Sequence, residues 1–287
     1  FTLMRSHPLA LLQFNLLATT TRSFSHFYAH SNQPLLSLQR PTTLTRSLHR
    51  PLRSLMSTAP EVNWDETIPP NLAAISSRVK DCAAKNGDSL VTLVAVSKTK
   101  PLEAILAAHR VGHIRFGENY IQELVSKCEE IQAKEIAFDG KFSFIGALQS
   151  NKVNALIKSG YSSGLLDCVE TVTSIKLARK LNDSVGAVRS DNASLDKLKV
   201  YVQVNTSGEE SKGGCSPSEE SPEVVDLVRF IHNDCSENLS LVGLMTIGAV
   251  DDSKGAFEVL KSTKQRCEME VEGCGSLKLR LVSKIVM

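Results

Sequence analysis

Val91-Thr92-Leu93-Val94-Ala95-Val96-Ser97-Lys98-Thr99-Lys100-Pro101 changes character halfway along. Six uncharged residues rich in β-branched side chains give way to a polar turn. Pro101 then takes the first position of a helix carried by Leu102, Ile105 and Leu106, which Gly112 stops. A run that is apolar on both faces suits a strand covered by helices, as in a parallel sheet. Working outward, the same strand, turn and helix succession recurs. Upstream, Asn71 is placed to cap a helix with Leu72, Ile75, Val79 and Cys82 at the 3.6 period, ended by Asn86-Gly87. Downstream, apolar runs at His113–Phe116, Phe142–Gly146, Leu165–Val169, Leu198–Asn205 and Leu239–Met245 each lead into a polar turn and a helical stretch. Ser221-Pro222 opens the clearest of these helices, with Val224, Leu227, Val228 and Ile231 on one face. The polar stretch Asn182–Lys197 reads as a surface loop. Strands alternating with helices imply right-handed βαβ units, and six or seven of them predict an α/β fold of the (β/α)8 TIM-type barrel class. A doubly wound open sheet is the structural alternative, because periodicity does not distinguish an open sheet from a closed one.

Composition narrows the function. The 287 residues are 42% hydrophobic, enough for a sizeable core, and the net charge of +2 makes no case for nucleic acid. The apolar runs are too short for a transmembrane helix, so no membrane span is expected. Seven scattered cysteines without a C-x-x-C pair suggest reduced, packed thiols. Residues 1 to 60 hold six arginines (5, 22, 40, 46, 50, 53), no lysine and no acid, amid Ser, Thr and Leu, and Glu61 is the first acidic residue. Such a segment reads as an organelle transit peptide over 1–58, with a disordered basic tail as the alternative, followed by a barrel over 59–287. The expected location is mitochondrial, with a plastid, or the cytoplasm for a form started at Met56, as alternatives.

In a parallel barrel the reactive groups stand at the C-terminal ends of the strands. Side-chain alternation puts Lys98 on the face of Val94 and Val96, at the barrel mouth above an apolar base. Partial desolvation there would lower an amine pKa, and a neutral amine is the nucleophile that attacks an aldehyde. By itself a lysine at a strand end is more often a solvated charge. Asn119, after Phe116-Gly117-Glu118, is placed to cap the next helix, and Ser150 another. Asn205 opens a polar, donor-rich turn. Met245 is placed either to fill core or to pack on a flat ring. His109 and His113 have metal-like spacing, but Gly112 breaks the helix between them. There is no G-x-G-x-x-G, Walker loop or G-x-S-x-G elbow.

Together VAVSKTKP (94–101), RFGENYIQE (115–123), FIGALQSNK (144–152), VQVNTSGEESKGG (202–214) and GLMTIG (243–248) resemble the pyridoxal phosphate homeostasis protein family, in the right order over residues about 70 to 270. That resemblance implies a single-domain barrel like the N-terminal domain of alanine racemase. It implies pyridoxal 5′-phosphate (PLP) as cofactor, held as a Schiff base by Lys98, and a carrier or regulatory role in vitamin B6 homeostasis, with no established turnover. PLP-dependent apoenzymes would be the acceptors. Asn119, Asn205 and Met245 match family positions near the barrel mouth and are carried over as cofactor-binding residues. A racemase-like enzyme is the alternative. It would need a second acid/base, and none of Tyr28, Tyr120, Tyr161 and Tyr201 is clearly placed for that work.

Two departures from the family pattern bear on the outcome. Ala147 stands where members carry histidine in F-I-G-H-L-Q. The segment Gly275-Ser276-Leu277-Lys278-Leu279-Arg280-Leu281-Val282 replaces the S-M-G-M-S-x-D continuation that grips phosphate. Leu277, Leu279 and Leu281 alternate with charges, which predicts a half-exposed strand, a barrel incomplete at its last strand with two open edges, and weakened PLP binding; a form with impaired binding is therefore a further alternative.

Overall fold

The computed structural model describes residues 8–14, 62–85, 92–209, 212–248 and 252–285. The chain divides into two compact units, Phe1–Leu16 with Asn63–Met287, and Leu17–Val62. Of the second only Val62 is among the described residues, so the boundary expected at 58/59, and most of the expected leader, lie outside them.

Among the described residues eight strands form one sheet: β1 (Pro8–Phe14), β2 (Ala95–Val96), β3 (Arg115–Glu118), β4 (Lys141–Phe144), β5 (Leu166–Val172), β6 (Leu198–Gln203), β7 (Leu239–Ile247) and β8 (Lys278–Ile285). Their order is β1-β8-β7-β6-β5-β4-β3-β2, and every pairing is parallel. From β2 to β8 each strand therefore lies beside the next in sequence, the winding of a TIM-type barrel. Among the described residues α1 (Trp64–Lys85) precedes β2, and the crossovers from β2 to β8 carry α2 (Leu102–Arg110), α3 (Ile121–Ala133), α4 (Val153–Leu156), α5 (Ile175–Asp191), α6 (Glu223–Asp234) and α7 (Ser253–Glu270).

Strand alternation sorts the apolar side chains into two sets. Phe116, Phe142, Phe144, Val169, Val200 and Val202 join the helix residues Ile105, Leu124, Ile131, Leu156, Leu181 and Ile231 in the main core. Val94, Cys168, Tyr201 and Met245 form a separate cluster on the other face of the sheet, backed by Val242 and Ile247.

Several local expectations are corrected. Helix α1 begins at Trp64 rather than at Asn71, with Asp65 and Glu66 favourably placed in its first turn, and the Asn71 amide donates to Thr67 O inside it (3.0 Å). Pro101 is the residue before α2 rather than its first. Gly112 does end that helix, at φ +86 with its N–H on His109 O. Ser150 caps nothing, lying in a 3-10 turn after Gln149. Most of Asn182–Lys197 is helix, because Leu177, Ala178, Leu181 and Val185 continue a buried stripe beneath polar neighbours. The last strand is present over Lys278–Ile285. β1 pairs along its outer side, so the expected incomplete barrel with two open edges is borne out, but the edges among the described residues fall at β1 and β2 rather than at the last strand. Of its described side chains Lys278 is exposed and Leu279 buried, as alternation predicts, and the departure is Arg280, which is buried.

Candidate site at the end of the second strand

Lys98 follows β2 in a tight turn. Beneath it Val94 and Val96 are buried. Lys98 itself is half-buried, and its ammonium enters none of the hydrogen bonds or ion pairs of the described residues. The backbone on either side is held closely. Ser97 N–H donates to Gly117 O (2.9 Å), Ser97 Oγ donates to Glu118 Oε1 (2.6 Å), and Lys127 Nζ donates to Ser97 O (2.9 Å). Thr99 N–H donates to Glu123 Oε2 (2.6 Å), and Thr99 sits at φ +60.

Two charged members of this network, Glu118 and Lys127, are buried. Lys127 Nζ also reaches Glu118 Oε1 (2.6 Å) and Glu123 Oε2 (3.5 Å). Burial pushes the Glu118 carboxyl above the usual carboxylate range, while hydrogen bonds from Lys127 and Ser97 pull it back. Sequence reading missed this network. The available signal was Lys127 itself, a lysine inside the buried α3 stripe Ile121, Leu124, Cys128 and Ile131.

Asn119 directly follows the adjacent strand β3. It does not cap α3, which starts after Tyr120 with no side-chain cap. Its Oδ1 is buried without a hydrogen-bond partner, an acceptor that a hydroxyl donor on a bound molecule would satisfy. Gly146 lies against it so closely that a Cβ there would fall 2.0 Å from Asn119 O. The other two candidates are placed differently. Asn205 follows β6, and its amide closes its own turn by donating to Glu209 O (3.0 Å). Met245 is fully buried in the interior cluster with Val94, the filling role. His109 pairs with Asp139 (2.5 Å) and His113 with Arg115 O (2.7 Å), so the two rings serve separate partners.

Deeper on the interior face, Arg280 of β8 forms an ion pair with Glu170 of β5, and its guanidinium lies 4.7 Å from the Tyr201 ring centroid. Burial raises the Glu170 carboxyl, and Arg280 works against that rise.

A parallel (β/α)-type sheet wound in sequence order defines the class, a TIM-type barrel domain, and two neighbouring strand ends carry a lysine without a partner among the described residues and a buried amide oxygen without one. The family model "Alanine racemase, N-terminal domain" matches residues 71–279. The human pyridoxal phosphate homeostasis protein is 40% identical over 203 residues, covering 68% of this chain and 69% of the relative. The chain belongs to the pyridoxal phosphate homeostasis protein family. Among solved structures, an unknown protein from Bifidobacterium adolescentis is similar with a TM-score of 0.59 at 27% identity, covering 78% of this chain and 95% of that one. PipY from Synechococcus elongatus with PLP bound has a TM-score of 0.52 at 21% identity, over 75% and 97%, and shows the shared fold.

Proposed function

We propose that this chain binds PLP covalently and reversibly through Lys98 and acts in vitamin B6 homeostasis as a carrier or regulator. The observation that carries the reading is the half-buried Lys98 amine, without a partner among the described residues, just past the C-terminal end of β2, where barrel chemistry is done. When bound, PLP supplies an aldehyde carbon that a neutral amine attacks with loss of water, together with a dianionic phosphate. Lys98 would be the anchor and Asn119 Oδ1 the acceptor for a ring hydroxyl. Membership of the family and the PLP bound in PipY support the reading. Asn205 and Met245 are read as residues shaping the wall, the first through its turn and the second from the interior. PLP-dependent apoenzymes are the acceptors the reading implies. No helix of the described residues is long and apolar enough to cross a membrane. The Arg-rich, acid-free residues 1–58 support delivery to an organelle, mitochondria first, which N-terminal sequencing of the protein recovered from cells would test.

The decisive experiment incubates the chain with PLP, reduces with borohydride and maps the modified lysine by mass spectrometry. Label at Lys98, lost in Lys98→Ala, is the expected result. Specific label elsewhere, or none, overturns the proposal, and alanine racemisation lost in the same variant would move the chain to the enzyme class.

A further inference from the structure

We propose that Glu123 and Lys127 of α3 are positioning residues that hold the Lys98 turn in a conformation it would otherwise leave, and so set the direction from which the amine reaches its ligand. This rests on the functional reading above.

Thr99 carries the decisive geometry. A β-branched residue at φ +60 is a genuine outlier, because Cβ crowds the following carbonyl in the left-handed region. Such a conformation persists only where surrounding bonds over-determine it. Here the bonds bracket Lys98 and leave its side chain alone. On one side Ser97 uses its N–H, its Oγ and its carbonyl, toward Gly117 O, Glu118 Oε1 and Lys127 Nζ. On the other side the Thr99 N–H is taken by Glu123 Oε2. Lys127 sits between the two carboxylates, 2.6 Å from Glu118 Oε1 and 3.5 Å from Glu123 Oε2, so one buried cation fixes both acceptors. The turn itself closes through Lys100 N–H on Ser97 O (3.1 Å). β2 contributes only two residues of regular pairing, to β3, so the ladder alone does little to orient the turn. The side-chain network supplies what the ladder lacks.

A tie that merely held an edge strand in place would have the same bonds. The two roles differ in what moves when the tie is cut. Lys127→Met would strand the buried Glu118 carboxylate and risks unfolding. Glu123, whose side chain is 32% exposed, is the better probe. Two substitutions on the full chain separate loss of the acceptor from loss of its charge: Glu123→Ala removes the oxygen that takes the Thr99 N–H, and Glu123→Gln keeps one. Without PLP, the Thr99 amide should exchange with solvent at least about tenfold faster in the Ala variant and keep most of its protection in the Gln variant. With PLP, the Ala variant should show about tenfold weaker attachment at Lys98 and a shifted pH midpoint for attachment, at unchanged circular dichroism, with Gln restoring both. Unchanged Thr99 exchange in Glu123→Ala overturns the clamp. So does attachment of parental strength and pH profile, even if the melting temperature falls, since that pattern is the edge-tie role. Should the parent chain carry no label at Lys98, the functional reading fails, and the amide-exchange arm still decides the clamp.

Discussion

His113 shows how a single side chain makes stability depend on pH. Its ring meets Phe116 edge-on at 5.3 Å between centroids, and Nε2 lies 2.7 Å from Arg115 O, so that nitrogen carries the proton of a neutral imidazole. Burial holds its pKa below 6.5, although the bond to the carbonyl pulls upward. With the folded value depressed, the unfolded chain takes up the proton first as pH falls. The stability contributed is therefore present above pH 6.5 and lost as pH drops through the lower folded value. Glu118 and Glu170 act in the opposite sense, since their raised pKa values favour the folded chain on acidification. The difference between parent and variant isolates the histidine. Between about pH 7.5 and about 5.5, the parent should lose melting temperature that His113→Gln does not lose. Parallel melting curves at both pH values would refute this. Residue roles were only partly legible in advance. Lys98 stood out because strand alternation and strand-end position are both written in the sequence, whereas the partners of Asn119 and Asn205 depend on turns closing in three dimensions.

At the scale of elements, the parallel sheet was readable because runs such as Val91–Val96 are apolar on both faces and each leads into an amphipathic segment. Misreadings came where a local polar signal competed with a longer stripe. The polar residues after Asn182 suggested a loop, yet Leu177, Leu181 and Val185 keep α5 packed through Asp191. Alternating leucines after Gly275 suggested a half-exposed strand, which holds for Lys278 and Leu279 and fails at Arg280, because nothing local announces that it has an acid waiting across the sheet. One close approach decides how β7 and β8 fit: a Cβ on Gly243 would lie 1.9 Å from Lys278 O. Gly243→Ala should therefore lower unfolding free energy in urea by about 1–3 kcal/mol, as overpacking does. Gly275→Ala, with open space around the added carbon, should change little. Equal effects of the two would show that the strand contact has no such tightness.

Across the whole molecule, the Glu170–Arg280 pair ties β5 to β8 through the interior face, spanning two intervening strands. Arg280 lies just beyond the last residue matched by the family model, whereas its partner Glu170 lies within the matched stretch. Removing one partner leaves a buried charge uncompensated. Arg280→Ala should cost about 3–5 kcal/mol in chemical denaturation, and the double change Glu170→Gln with Arg280→Met should cost clearly less. A single variant as stable as its parent would show that Glu170 is neutral in the folded chain. Six of the seven thiols are also buried, and burial pushes Cys128, Cys215 and Cys267 up to about 12. At neutral pH roughly one in 100,000 such groups is ionised. A protein that keeps company with a reactive carbonyl compound thus has its six buried sulfurs withdrawn from that chemistry, with Cys82 the exposed exception, which limits self-inflicted modification of its own core.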